Sequence, residues 1–163
     1  MHNTENMVIE PATIEDLPHL TNLLFELFTQ ETDFVANREK QMRGLRLILE
    51  NPNRGRIFIL RNHDEIIGMI NLLFTISTAE GGFVMLLEDL VIHPQYRAMG
   101  FGSVLVKYAL QYAREKGFLR ITLMTDNPKH ESVNFFQEHG FKTSKMVIMR
   151  QLLSSEQSNE SAI

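Results

Sequence analysis

Glu88, Asp89, Arg97, Gly100, Gly102 and Ser103 fall within one stretch, residues 86–110, LLEDLVIHPQYRAMGFGSVLVKYAL. Apolar residues from Leu86 to Ile92, interrupted by the two acids, read as a strand. A turn opened by Pro94 follows, and Gly100-Phe101-Gly102-Ser103 leads directly into a helical pattern. A strand, a small-residue turn and a helix start together make an anion cradle. The first N–H groups of a helix have no internal partner and point outward, and the helix dipole adds positive character there. Glycines let a phosphate approach the backbone closely. The expected ligand therefore bears phosphate and is held at Met99, Gly100, Phe101, Gly102 and Ser103.

The acids suggest a second kind of chemistry. On a regular strand Glu88, Leu90 and Ile92 share one face, and Leu87, Asp89 and Val91 share the other. Glu88 lies four residues before Ile92, roughly 13 Å at strand rise. A carboxylate in an apolar strand is expected to titrate high, which suits a general base. It suits equally a structural acid capped by backbone N–H groups. Asp89 has the weaker case, since it faces away from Glu88.

The elements that must position these groups follow from periodicity. Residues 8–12 read as a strand. Thr13 or Asp16 caps a helix with Leu17, Leu20, Leu24, Leu27 and Phe28 at helical spacing, and Pro18 in the first turn favours Asp16. The polar run TQETD at 29–33 reads as a loop, and residues 37–50 as a second helix ended by Asn51-Pro52-Asn53. Residues 56–60, 66–76 and 83–92 read as three successive strands with short links, an antiparallel meander. In the next helix Phe101, Leu105, Tyr108, Ala109, Tyr112 and Ala113 line one face, with Gly117 as its stop. Residues 120–125 form a strand one helix beyond 83–92, which implies a parallel pair. A short helix over 132–139 and a last strand over 146–152 complete the order β-α-α-β-β-β-α-β-α-β. The fold class is α/β (α+β): a mixed, mostly antiparallel twisted sheet with a central parallel pair and helices on both faces. Residues 1–153 are expected to form one domain, with 154–163 a frayed polar tail.

Composition narrows the function classes. The chain has 163 residues, 44% hydrophobic, with a net charge of -4 and no cysteine. The acidic balance argues against a nucleic-acid groove. Lack of cysteine excludes a disulfide scaffold, a thiolate zinc site and a cysteine nucleophile, and fits a reducing cytoplasm. No apolar run is long enough for a membrane span. His93, His130 and His139 show no paired ligand spacing, so no metal site is expected. The expectation is a cytoplasmic domain without nucleic-acid or membrane partners.

The glycine turn excludes two nucleotide motifs. A dinucleotide fingerprint needs a third glycine where Leu105 stands. A P-loop needs a lysine before Ser103, where Gly102 stands. What remains is Arg97-x-x-Gly100-x-Gly102 between a strand and a helix. This resembles the acyl-CoA-binding motif of the GNAT acetyltransferases, Arg/Gln-x-x-Gly-x-Gly/Ala. Leu90-Val91-Ile92-His93-Pro94 resembles the strand end before that motif. Asn127 through Phe141, closing on Asn134-Phe135-Phe136-Gln137-Glu138-His139-Gly140-Phe141, resembles the family's later helix ending in Gly-Phe. Ala12-Thr13 with Glu15-Asp16, and Ile66-Ile67-Gly68, resemble its opening and the strand before its core. The likeness spans about residues 7–152 in the family's own order. Two departures stand out. Ala98 replaces a frequent glycine, at little expected cost if its φ is ordinary. Phe136 replaces the tyrosine often assigned as the general acid for the departing thiolate.

The resemblance implies acetyl-CoA as donor, an amine as acceptor and direct attack of the neutral amine on the thioester, with no metal. By the same resemblance, backbone N–H groups of Met99 to Ser103 anchor the pyrophosphate, Arg97 shapes the turn with Ala98, and the pantetheine groove runs beside Leu90, Val91 and Ile92. Glu88 is the candidate base. Phe136 either packs or walls the pocket near the sulfur. Asn127 contacts CoA, closes a loop or is a turn residue; Lys129 meets a phosphate or is solvated. Glu31 and Asp33 either draw in a cationic amine or lie in a solvated loop. The resemblance also admits a homodimer. An acyl-CoA-binding sensor or partner module with weak or no transfer is the alternative function.

Overall fold

The computed structural model describes residues 6–29, 35–125 and 131–153. Among them five strands form one sheet: β1 (Met7–Pro11), β2 (Gly55–Asn62), β3 (Glu65–Ser77), β4 (Gly82–Ile92) and β5 (Ile121–Leu123), side by side in that order. The first four pair antiparallel, and β4 and β5 are parallel. Helices α1 (Leu17–Phe28) and α2 (Arg38–Leu49) precede β2. Helix α3 (Phe101–Glu115) joins β4 to β5, and α4 (Glu131–Glu138) follows. This is the expected mixed sheet with a parallel pair.

Period-two alternation on the strands sorts side chains onto two helical layers. On one face Phe58, Leu60, Ile70, Leu72, Met85 and Leu87 pack against Leu105, Ala109 and Ala113 of α3. On the other, Ile57, Ile59, Met69 and Val91 pack against Leu20, Leu23 and Leu24 of α1 and Leu45 of α2. Burial of each of the large side chains among them contributes roughly 1.5–3 kcal/mol. Tyr108 and Tyr112, expected on the inner face of α3, set their edges against Phe58 at 5.0 and 4.9 Å.

Gly68 brings α3 against the end of β4. A Cβ there would come within 2.7 Å of Ile92 Cδ1 and 3.2 Å of Leu105 Cδ1. The helix that opens at the glycine turn thus rests directly on the strand that feeds it.

Two sequence expectations fail. In the β3–β4 ladder Asn71 faces Asp89 while Leu72 faces Leu87, leaving Glu88 as an inserted residue. Such a bulge breaks alternation. Leu87 joins the α3 face together with Leu90 and Ile92, while Val91 joins the α1/α2 face. Leu87 and Val91 therefore do not share a face. The second failure is the last strand. Residues 146–152 belong to no strand among the described residues, and Met146, Val147 and Met149 are 86%, 83% and 91% exposed.

Candidate active site

The parallel strands pair only over Met85–Leu87 and Ile121–Leu123. Beyond Leu87, β4 continues to Ile92 with its β3 edge paired and its β5 edge bare among the described residues. The strands therefore part where the bulge inserts Glu88. At the far end, His93 N–H donates to Ile67 C=O at 2.8 Å, holding the strand end in place. One 3-10 turn, Pro94–Tyr96, reverses the chain. Arg97 Nε then donates to Ile92 C=O at 3.0 Å, folding the guanidinium back over the strand end.

Gly100 caps α3 with φ +85, a left-handed conformation that glycine adopts without steric cost. Ala98 also has positive φ, +59. The expectation of an ordinary φ is corrected: an L-residue there carries strain on the order of 1–2 kcal/mol. Past Gly100 the N–H groups of Phe101, Gly102 and Ser103 occupy the first helical turn, where no intrahelical acceptor exists.

A cleft of about 370 Å³ opens over this turn, within the range of small-molecule sites. Ile92, Arg97, Ala98, Gly100, Phe101, Gly102 and Ser103 line it. Tyr96 and Phe135 line it as well. A Cβ on Gly102 would stand 3.4 Å from the Phe135 ring, so the bare backbone is part of the cleft's shape. Met99 is half exposed and outside the lining. Leu90 packs on the α3 cluster, and the Val91 side chain is buried on the opposite face. Of Val91, only the backbone remains for a ligand. The fit to a diphosphate with an extended amide arm rests on these features: bare N–H groups, a glycine floor and a free strand edge.

The family model described as the acetyltransferase (GNAT) family matches residues 17–141. The chain belongs to the GNAT acetyltransferases. It is 30% identical over 133 residues to an aminoalkylphosphonate N-acetyltransferase of Salmonella typhimurium, covering 82% of this chain and 83% of that one. It is 32% identical over 121 residues to a thialysine N-epsilon-acetyltransferase of Caenorhabditis elegans, covering 74% and 72%. An integron cassette protein from the mobile metagenome of Cole Harbour Salt Marsh superposes with a TM-score of 0.77 at 25% identity over 90% of each chain. The aminoglycoside N-acetyltransferase AAC(6')-Iy, solved in complex with CoA, shares the fold at a TM-score of 0.76 and 18% identity, over 93% of this chain and 98% of that one.

In this GNAT chain the buried strand acid is not the one expected. Glu88, at the bulge, is exposed, so the apolar surroundings inferred for it are absent. Asp89 is the buried acid, 8% exposed, and accepts a 2.9 Å hydrogen bond from the amide Nδ2 of Asn71, itself 2% exposed. Burial pushes the Asp89 carboxyl from the ordinary 3.8 to about 6, opposed by the Asn71 bond and reinforced by the Glu88 charge. Asn71 Oδ1 is buried without a donor. Sequence reasoning missed this pair because it joins positions 18 residues apart across a bulged register.

Phe136, at the position of the frequent GNAT tyrosine, packs against the α3-side core and lies edge-on to Phe141 at 5.6 Å. Its neighbour Phe135 is the one that faces the cleft. Tyr96, also missed, donates its hydroxyl to Glu65 at 2.7 Å beneath the turn. Its place immediately before Arg97 was the available signal. Glu31, Asp33, Asn127 and Lys129 lie outside the described residues. Among the described residues no group of three or more His, Cys, Asp or Glu side chains is arranged to hold a metal, and no helix is long and apolar enough to cross a membrane.

Proposed function

We propose that this chain is an acetyl-CoA-dependent N-acetyltransferase acting on a primary amine of a small molecule or peptide by direct attack. The observation that carries this reading is the cleft where β4 leaves β5 and meets the glycine-capped start of α3. Acetyl-CoA supplies an acetyl group activated as a thioester. The N–H groups of Phe101, Gly102 and Ser103 receive its diphosphate, with the turn held by Arg97. The bare β4 edge from 88 to 92 pairs with the amides of the pantetheine arm, as a sheet edge pairs with an added strand. A backbone N–H on that edge polarises the thioester oxygen.

Glu88, exposed where the strands part, takes the proton from the attacking amine. The new bond is C–N, the broken bond is C–S, and the thiolate leaves with Phe136 offering no proton. A thiolate leaves readily without one, given a thiol pKa near 8.5. The relatives' names, an aminoalkylphosphonate and a thialysine acetyltransferase, support a small amine as acceptor. Asn127 and Lys129 are proposed to border the bound CoA, and Glu31 and Asp33 the acceptor.

One observation favours a second reading. Phe136, partly buried, packs against the core where a proton donor often stands, which suits an acyl-CoA sensor with little transfer. Thiol release from acetyl-CoA, followed across a panel of amino acids, diamines, aminophosphonates and peptide amines, separates the two. Amine-dependent release with acetylated product by mass spectrometry is expected. Saturable acetyl-CoA binding with no release from any amine establishes the sensor reading instead.

A further inference from the structure

Strand β3 begins at Glu65, which pairs with Asn62 across the β2–β3 hairpin. On a strand Glu65 and Ile67 share one face, the face on which Ile67 and Tyr96 join the α3-side core. Both residues reach the turn that follows β4. Ile67 C=O accepts the His93 N–H at the entrance of the turn, at 2.8 Å. The exposed Glu65 carboxylate accepts the Tyr96 hydroxyl at its exit, at 2.7 Å. The Tyr96 ring is buried and makes edge contacts with His93 at 5.8 Å and Phe101 at 6.3 Å. Phe101 is the first residue of α3. One side chain thus ties the start of β3 to the start of the cradle helix.

The backbone just past Tyr96 is unusual. Ala98 and Gly100 both have positive φ, +59 and +85. A strained conformation such as that of Ala98 persists only where its surroundings over-determine it. Given the acetyl-CoA reading above, we propose that the Glu65–Tyr96 hydrogen bond holds this turn in the shape that receives the diphosphate, which makes Glu65 and Tyr96 positioning residues for acetyl-CoA. Without that bond the turn relaxes, and the N–H groups of Phe101, Gly102 and Ser103 no longer converge on one cleft. Tyr96 lines the cleft and Glu65 does not, so Glu65 acts through Tyr96. Tyr96→Phe keeps the ring and its packing and removes only the donor. The carboxylate it leaves behind is solvated, so the fold loses little.

Calorimetric titration of acetyl-CoA into the full chain and its variants reads the effect. Tyr96→Phe and Glu65→Ala are each expected to weaken binding about fivefold, the scale of one hydrogen bond. The double variant is expected to be no weaker than either single one, since both remove the same bond. Glu65→Gln keeps an acceptor oxygen and is expected to bind within about twofold of wild type. If Glu65 acted only through its charge, Gln and Ala would change binding alike. In the transfer assay Glu65→Ala is expected to raise KM for acetyl-CoA by the same factor with kcat little changed, the pattern of lost uniform binding. Its KM for S-acetylpantetheine, a donor without the diphosphate, is expected to stay at the wild-type value. Glu65 is exposed, so its variants carry the test even if Tyr96→Phe fails to fold. Wild-type affinity in Glu65→Ala overturns the positioning role, as do independent losses that multiply in the double variant or an equal rise in KM for S-acetylpantetheine. A wild type that does not bind acetyl-CoA overturns the acetyl-CoA reading itself, and the positioning role with it.

Discussion

Asp89→Asn tests the buried pair beside the bulge. In the folded chain the Asp89 carboxyl titrates near 6 rather than 3.8 because burial disfavours its charge. The folded state therefore holds a proton that the unfolded state has released between about pH 4 and 6. With more protons bound when folded, stability falls as pH rises through that window. At 1.36 kcal/mol per pH unit, the loss from this group is on the order of 3 kcal/mol, complete somewhat above pH 6. Asparagine has no charge to bury. Its oxygen accepts from Asn71 Nδ2 as the carboxylate does, and its NH₂ group supplies a donor for the orphaned Asn71 Oδ1. An unsatisfied buried acceptor costs about 1–3 kcal/mol. Asp89→Asn is expected to stabilise the protein by about 1–3 kcal/mol at pH 8, with the gain shrinking toward zero near pH 4. Urea unfolding of both proteins at several pH values measures the difference, and each kcal/mol corresponds to about 2–4 °C in Tm. A variant less stable than wild type at pH 8, or a difference that does not change with pH, refutes the reasoning.

Ala98→Gly relieves the left-handed strain at φ +59 and is expected to raise stability by about 1 kcal/mol; an unchanged urea midpoint would show that alanine is not strained there. Glu88→Gln is expected to lower kcat on the order of a hundredfold, the scale of a lost general base, while leaving acetyl-CoA affinity intact; an unaltered kcat removes Glu88 as the base. Phe136→Tyr is expected to change kcat by less than about threefold, because the ring packs on the core rather than into the cleft. A tenfold gain, roughly the low end of acid catalysis, would place that position at the thiolate.

Local signals carried most of the architecture. Pro18, Asn51-Pro52-Asn53 and the Gly100/Gly102 pair marked helix ends because each sets its own backbone. Along the run Ile57, Phe58, Ile59 and Leu60, read only as a strand, strict alternation holds in the structure, since no bulge interrupts it. Alternation failed at Glu88, where the inserted residue is defined by the register with Asn71 and Leu72 on another strand. The cradle residues were legible from the spacing of Arg97, Gly100 and Gly102. The φ of Ala98 was not, because it follows from the turn as a whole. Residues 146–152 have strand composition, but pairing requires a free edge. Neither propensity nor pattern supplies one.

The central claim is that the glycine-capped start of α3 holds the diphosphate of an acyl-CoA. Calorimetric titration of acetyl-CoA into the wild type and into Gly100→Asp tests it most directly. A Cβ at Gly100 meets nothing within 4 Å, so the side chain itself has room. The left-handed φ and the added negative charge are what oppose binding. Saturable binding to the wild type, weakened at least tenfold in a folded Gly100→Asp, about 1.4 kcal/mol, is the predicted result. Equal affinity in the two proteins, or no binding to the wild type, contradicts the account.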